Sequence, residues 1–228
     1  HVIFPNPKAE RLCRYGVHLA FKGFISFMYY TGVLSLERLN NTALSKPGQF
    51  IIANHPSLID VIFIIAEVPN GYCVVKSSAW KNPFIMLIMF ATGYIQNNSP
   101  ISFIDDCVEV LERGDTLLVF PEGTRTKPNQ PLKFRKGAAR IALKAKRSIT
   151  PVHIYINPTT LTKDESWYHI PKNKFCFYMH VDSIINLQNV IQEDIPKQKH
   201  VKKLTQYLVN YFENKHHEFI NEHTLSRD

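Results

Sequence analysis

Residues 51–60 read IIANHPSLID, a short apolar run that ends at His55, with Asp60 following five positions later. On one continuous helix, residues five apart face about 140° away from each other. His55 and Asp60 can therefore meet only if a helix begins between them, and Pro56 suits a first helical position. We expect a strand over residues 49–53, a helix that begins at Pro56, and a contact between the imidazole and the carboxylate.

Such a contact between imidazole and carboxylate has a chemical use. A carboxylate on one ring nitrogen fixes the tautomer and leaves the other nitrogen free to take a proton from a hydroxyl. This is general-base chemistry that needs no protein nucleophile. A histidine and an aspartate at this spacing are also typical of a capping histidine beside an unrelated helix carboxylate, so the pair alone does not decide the function.

A second motif lies at residues 116–126, which read TLLVFPEGTRT. This β-rich run stops at a proline and turns at a glycine, which places Glu122 and Arg125 on a loop at a strand end. Ligands of α/β proteins usually bind at such strand ends. Arg125 offers a planar fork suited to phosphate, and Glu122 can accept a hydrogen bond from an alcohol. An ordinary strand-end turn is the alternative that this motif alone leaves open.

Together, residues 54–60 (NHPSLID) and 120–126 (FPEGTRT) resemble the two defining motifs of the glycerolipid acyltransferases, and most closely those of the 1-acyl-glycerol-3-phosphate acyltransferase family. Both motifs occur in the order typical of that family. Residues 149–152 (ITPV) resemble the family's later proline-containing strand. The resemblance covers about residues 49–156, and it is specific because several independent matches fall in order.

The resemblance implies an α/β fold, with a mixed β-sheet flanked by helices and an N-terminal helical element that docks on a membrane. We expect a helical membrane-associated region over residues 1–48 and a catalytic domain over residues 49–228. In the reaction that the resemblance implies, His55 deprotonates a hydroxyl, and Asp60 orients the imidazole and supports the imidazolium that forms.

The implied substrates are an acyl-CoA or acyl carrier protein donor and a lysophospholipid acceptor, most closely 1-acyl-glycerol-3-phosphate, in phospholipid biosynthesis. No metal or redox cofactor is needed for that reaction. The residues that the resemblance assigns to substrate binding are Glu122, Gly123, Thr124, Arg125 and Lys76. Lys76 ends a predicted strand, where a lysine is also commonly just solvated.

The sequence departs from this family at residues 93–98, which read GYIQNN. Members specific for a glycerol phosphate usually have an arginine at the end of this segment, where Asn97 and Asn98 stand here. Replacing a guanidinium by a neutral amide removes a charge-assisted hydrogen bond of about 1.5 to 3 kcal/mol. An acyltransferase that uses another lysolipid or an aminoacyl lipid is therefore an alternative.

The net charge of +8 is unevenly distributed along the 228 residues. No acidic residue occurs between Glu122 and Asp164, whereas ten lysines and arginines do. Such a region attracts anionic phosphates of a bilayer, a phosphopantetheine-bearing donor or a nucleic acid. The chain has no recognised nucleic-acid reading motif, so we expect no nucleic acid partner. A non-catalytic basic protein that binds membranes is the alternative from another functional class.

The remaining features limit the cellular setting. The four cysteines are scattered without C-x-x-C spacing, which indicates reduced thiols in the cytosol and makes a structural zinc site improbable.

No apolar run reaches the length of a membrane span. Residues 17–36 are rich in aromatic residues but include Lys22, which favours a helix lying in the membrane interface. We expect a peripheral or monotopic protein on the cytoplasmic face of a membrane. A signal-peptide cleavage pattern is not evident, and because the chain begins at a histidine its native start can lie upstream.

Overall fold

The computed structural model describes residues 6–77, 83–97, 102–128, 130–165, 173–191 and 196–225. In this part of the chain, a seven-stranded sheet is flanked by helices on both faces. The strands are β1 (Leu34–Leu39), β2 (Phe50–Ala53), β3 (Gly71–Lys76), β4 (Ile95–Asn97), β5 (Thr116–Val119), β6 (Ile149–Asn157) and β7 (Phe175–Val181). The helices are α1 (Pro7–Tyr30), α2 (Asp60–Ile65), α3 (Pro83–Thr92), α4 (Ser102–Glu112), α5 (Gly137–Ala145), α6 (Leu187–Val190) and α7 (Lys197–Leu225).

The sheet has the order β1-β7-β6-β2-β5-β3-β4. Strands β6 and β7 pair antiparallel, and the other neighbouring strands run parallel. The predicted mixed α/β sheet flanked by helices is thus confirmed. Because β2 and β5 are parallel neighbours, the loops that carry the two sequence motifs leave the sheet at the same edge.

The apolar run of β2 is buried on both faces of the sheet. Phe50 and Ile52 belong to the core beneath α4, α5 and α7, whereas Ile51 and Ala53 belong to the core beneath α1 and α2. All four residues are at most 1% exposed. A continuous apolar run is what a parallel strand covered on both faces requires. Because β2 is buried on both faces, its end at Ala53 is held in place, and the histidine motif follows directly from it.

The N-terminal helix differs from the prediction at both ends. It begins at Pro7, because the Asn6 side chain caps it by accepting the Lys8 N–H at 3.0 Å. It ends at Tyr30, and Gly32 then adopts a φ of +78° in the turn that leads to β1. Residues 34–36, predicted to be helical, are therefore part of a strand.

The starts of α2 and α5 are set by contacts of the residues that precede them. Helix α2 begins at Asp60 and not at Pro56, because the Ser57 N–H donates to the Asp60 carboxylate and residues 56–59 form a bend and a turn. Helix α5 begins at Gly137, after a non-helical segment at residues 130–135. The Arg135 N–H instead donates to the Pro121 carbonyl at 2.8 Å, which ties the segment before α5 to the second motif.

The predicted boundary between residues 48 and 49 falls between two strands of the same sheet. Strand β1 lies before it and pairs in parallel with β7 over all six of its residues, from Leu34 opposite Phe175 to Leu39 opposite His180. The N-terminal region therefore contributes a strand to the sheet in addition to a helix.

The four cysteines, predicted to be reduced, are free thiols, and burial raises the pKa of Cys73 to about 12.

Candidate active site

His55 and Asp60 are brought into contact at the end of β2. The His55 Nδ1 lies 2.9 Å from the Asp60 Oδ2, and the same oxygen accepts the Ser57 N–H at 2.8 Å. Since a carboxylate only accepts, this contact places the proton of the neutral imidazole on Nδ1 and leaves the Nε2 lone pair free. The His55 ring stacks on Phe120, with 4.3 Å between the ring centroids.

The surroundings of the two side chains are asymmetric. The His55 side chain is 18% exposed, whereas that of Asp60 is completely buried. Burial raises the pKa of Asp60, while the contact with His55, the Ser57 N–H and the charge of Arg125 act in the opposite direction. A buried carboxylate is stabilised most when its imidazole partner becomes positively charged. The pair is therefore arranged to support an imidazolium.

Glu122 joins the two motif loops. Its Oε1 accepts the backbone N–H of His55 at 2.8 Å, and its Oε2 accepts the hydroxyl of Thr126. The Thr126 N–H in turn donates to the His55 carbonyl at 3.0 Å. Burial raises the pKa of Glu122, which is 5% exposed. Both carboxylate oxygens thus hold the loops together, and the predicted contact of Glu122 with an acceptor alcohol stays a prediction.

Gly123 and Thr124 continue the turn that begins at Glu122. Gly123 has a φ of +69°, and a Cβ placed on it would lie 2.8 Å from Nε of Arg135. Both the backbone conformation and the close guanidinium require glycine here. Thr124 lies half-buried in the next bend.

Arg125 is bonded to a distant loop. Its Nη1 donates to the carbonyls of Leu161 and Thr162 at 2.9 and 2.8 Å. The same loop accepts the Ser57 hydroxyl at the Thr160 carbonyl, 2.8 Å away. Arg125 therefore anchors the loop that covers the histidine motif, and its predicted contact with phosphate stays a prediction.

Lys76 lies at the same edge of the sheet but away from His55. It ends β3, which is separated from β2 by β5, so the two strands are about 10 Å apart. The Lys76 side chain is exposed, and its register partner in β4 is Asn97. Asn98 lies outside the described residues.

Four polar residues with structural roles at the site did not emerge from the sequence. Asn54 binds both backbone groups of Ile154, with its Oδ1 2.7 Å from the N–H and its Nδ2 2.8 Å from the carbonyl oxygen. Ser57 and Thr126 make the bonds described above. Asn54, Ser57 and Thr126 stand within the quoted motifs, so their polarity beside His55 and Glu122 was an available signal. No sequence signal pointed to Thr160, because it lies more than one hundred residues from Ser57, whose hydroxyl it accepts.

His55 opens into a cavity of about 620 Å³ beneath the second half of α7. The cavity is lined by polar groups of the motif loops and by aromatic side chains of β6, β7 and α7. Representative lining residues are His55, Glu122, His153, Tyr155, Tyr178 and Phe219. In the described ranges, no group of three or more His, Cys, Asp or Glu side chains is placed to hold a metal ion.

The family model named Acyltransferase matches residues 33–155, more than half of the chain. The chain belongs to this acyltransferase family. It is 32% identical over 133 residues to a 1-acyl-sn-glycerol-3-phosphate acyltransferase of Helicobacter pylori, with 55% of each chain covered. A Borreliella burgdorferi protein of the same name is 26% identical over 194 residues, which cover 78% of this chain and 76% of that protein. The predicted family resemblance is confirmed.

The fold is also similar to a solved structure. The crystal structure of the 1-acyl-sn-glycerophosphate acyltransferase PlsC from Thermotoga maritima superposes with a TM-score of 0.61 at 20% identity, over 92% of this chain and 84% of that one. This likeness supports the fold. The chain spans about half of the Helicobacter pylori protein and 39% of a Cocos nucifera relative, which is 31% identical over half of this chain.

Proposed function

We propose that this protein transfers a fatty acyl group from an acyl thioester to the free hydroxyl of a lysophospholipid, most closely 1-acyl-glycerol-3-phosphate. The observation that carries this proposal is the contact of Asp60 with His55, which lines a cavity. Several relatives bear the name of that activity, which agrees with the proposal. The donor is an acyl-CoA or an acylated carrier protein.

The reaction follows from the free nitrogen of His55. Nε2 accepts the proton of the acceptor hydroxyl, and the oxygen attacks the thioester carbonyl. The tetrahedral intermediate collapses by breaking the carbon–sulfur bond, and the imidazolium returns its proton to the departing thiolate. An ester and a free thiol are formed. Asp60 stabilises the imidazolium between the two proton transfers because its buried carboxylate contacts Nδ1.

The motif loops and the cavity have separate roles in this proposal. The mainly apolar cavity receives an acyl chain beside His55. Glu122, Gly123 and Thr124 shape the loop against which the acceptor lies, and Arg125 holds the loop that covers it. Lys76 offers a positive charge to the acceptor phosphate at the same sheet edge.

The protein docks on the cytoplasmic face of a membrane in this proposal, and the exposed apolar surface of α1 supports the docking itself. Among the described helices, none combines the length and apolarity that crossing a bilayer needs. Large apolar side chains are nevertheless exposed along α1, including Leu12 at 70%, Phe27 at 64% and Tyr30 at 85%. Helix α3 packs against α1 and exposes Leu87 and Ile88. Such a patch suits the acyl region of one leaflet.

A second candidate function is acyl transfer to a different acceptor. Asn97 favours this candidate, because it stands beside Lys76 in place of a charged side chain. A panel of acceptors separates the two candidates: lysophosphatidic acid, lysophosphatidylethanolamine, 1-acylglycerol and an aminoacyl lipid, each with acyl-CoA and with acyl carrier protein. Mass spectrometry of the product identifies the acceptor. Efficient acylation of lysophosphatidic acid supports the main proposal, and exclusive acylation of another lipid replaces it.

A further inference from the structure

The side chain of Arg135 lies across the second motif loop. A Cβ built on Gly123 would be 2.8 Å from Nε, 3.1 Å from Cδ and 3.2 Å from Cζ of Arg135, so the guanidinium rests against the Gly123 backbone. The Arg135 backbone is fixed as well, because its N–H donates to the Pro121 carbonyl at 2.8 Å. Both the backbone and the side chain of Arg135 therefore contact the second motif loop, although Arg135 lies twelve residues after Gly123 in the sequence.

The strand register places a second cation beside the same loop. Strand β3 pairs with β5 in parallel, with Cys73 opposite Leu118. Lys76 ends β3 three residues further on, at the end of the sheet where the second motif loop follows β5. Lys76 therefore ends the strand beside β5, and Arg135 is bound to the loop that follows β5 and includes Glu122, which contacts His55.

The polar side chains near this end of the sheet differ in whether they can bind an anion. Arg125 uses Nη1 to hold the carbonyls of Leu161 and Thr162. Asn97, opposite Lys76, carries no charge. Arg135 is exposed and forms no ion pair with a carboxylate of the described residues. A guanidinium in that state can meet an anion with both of its amino groups.

We infer that Arg135, together with Lys76, binds the phosphate group of the acceptor and so determines the preference for a phosphorylated lysolipid. The inference rests on the proposed function and names the residue that supplies the charge missing at Asn97. The phosphate of lysophosphatidic acid is only a few bonds from the hydroxyl that His55 deprotonates, which agrees with the short path from Arg135 through Gly123 and Glu122 to His55.

Steady-state kinetics of Arg135→Gln test this inference. We expect the KM for lysophosphatidic acid to rise about tenfold or more, with kcat changed less than about twofold, because one charge-assisted contact is lost. With 1-acylglycerol, which has no phosphate, the KM should equal that of the wild type. Arg140→Gln is the matched control, since Arg140 is an exposed arginine within α5, and it should leave the KM for both acceptors unchanged.

The donor also carries phosphate, so each measurement is repeated with an acyl N-acetylcysteamine thioester, which has none. A KM increase that persists with this donor assigns Arg135 to the acceptor. An increase seen only with acyl-CoA overturns the inference, because Arg135 then contacts the donor. A KM equal to that of Arg140→Gln also overturns it. A wild type that does not acylate lysophosphatidic acid overturns the proposed function as well, so the two failures are distinguishable.

Discussion

The Nδ1 of His55 and the Oδ2 of Asp60 are 2.9 Å apart, and the carboxylate is shielded from solvent while the imidazole reaches the cavity. The Ser57 N–H donates to the same carboxylate oxygen at 2.8 Å. A buried acceptor on one ring nitrogen and an accessible lone pair on the other is the arrangement that a general base requires.

Asp60→Asn should lower kcat by about 10² to 10⁴ while changing the acceptor KM little, because an amide no longer supports the imidazolium. Initial rates of acyl transfer at saturating donor measure this effect. Asp106→Asn is the control, since Asp106 is an exposed carboxylate on α4, and its rate should match the wild type. An Asp60→Asn enzyme within threefold of the wild-type kcat would contradict the assigned role.

Glu122→Ala should reduce the free energy of unfolding by about 1 to 3 kcal/mol, because the His55 N–H and the Thr126 hydroxyl lose their acceptor. Activity should fall in parallel, since the loop that carries His55 is released. Urea denaturation measures the stability. Glu112→Ala, an exposed change at the end of α4, should have little effect, and equal stability losses in the two variants would refute the linking role of Glu122.

Gly123→Ala should destabilise the protein by about 1 to 2 kcal/mol, because alanine disfavours a φ of +69° and its Cβ would displace Arg135. Gly16→Ala provides the opposite case. Gly16 lies inside α1, and a Cβ added there would meet nothing within 4 Å, so alanine should add about 0.5 to 1 kcal/mol. Thermal unfolding of both variants tests the pair, and a Gly123→Ala protein as stable as the wild type would be inconsistent with the observed turn.

His153 should make stability sensitive to pH. Burial lowers the pKa of His153 from 6.5 to about 4, although Asp182, with an oxygen 3.9 Å away, acts in the opposite direction. Between these two pH values the unfolded chain binds a proton that the folded protein does not. The stabilisation that comes from keeping His153 neutral is fully present above pH 6.5. As the pH falls from 6.5 to about 4, the free energy of unfolding decreases by up to about 3 kcal/mol because of this residue.

His153→Phe removes this titration and keeps an aromatic ring against Phe212, whose centroid is 4.5 Å from that of His153. Free energies of unfolding at pH 7.5 and pH 4.5 should therefore fall less in the variant than in the wild type. An equal fall in both proteins would show that another group causes the acid sensitivity.

Replacing Leu12, Phe27 and Tyr30 by serine should weaken binding to vesicles, because these side chains form much of the exposed apolar surface of α1. Co-sedimentation with vesicles of phosphatidylcholine and phosphatidylglycerol measures the binding. Tyr207→Ser on α7, which is 38% exposed, is the control. Unchanged binding of the triple variant would exclude α1 as the docking surface.

Local patterns were sufficient for much of the fold. The apolar run before Asn54 and the β-rich run before Phe120 predicted β2 and β5, and the turn signals at Pro56 and Gly123 located the loops that follow them. The meeting of His55 and Asp60 was also predictable, because the break at Pro56 that turns the chain between them is a local feature, although the helix itself begins only at Asp60.

Long-range contacts account for the errors. The start of β1 was predicted to be helical because its pairing partner β7 lies about 140 residues away, and an edge strand with alternating polar residues has a weak local pattern. Before α2, the Ser57 N–H binds the Asp60 carboxylate and the Ser57 hydroxyl binds the Thr160 carbonyl, 103 residues away, so residues 56–59 form a bend and a turn instead of a helix. The contact of Arg135 with Gly123 likewise depends on how α5 packs, which no local spacing encodes.

The central claim is acyl transfer with His55 as the base, and the release of free thiol from acyl-CoA tests it most directly. A medium-chain and a long-chain acyl-CoA are compared with and without lysophosphatidic acid, in the wild type and in His55→Ala. We expect thiol release that depends on the acceptor and disappears in the variant. Release without acceptor, or release that survives in His55→Ala, would contradict the account.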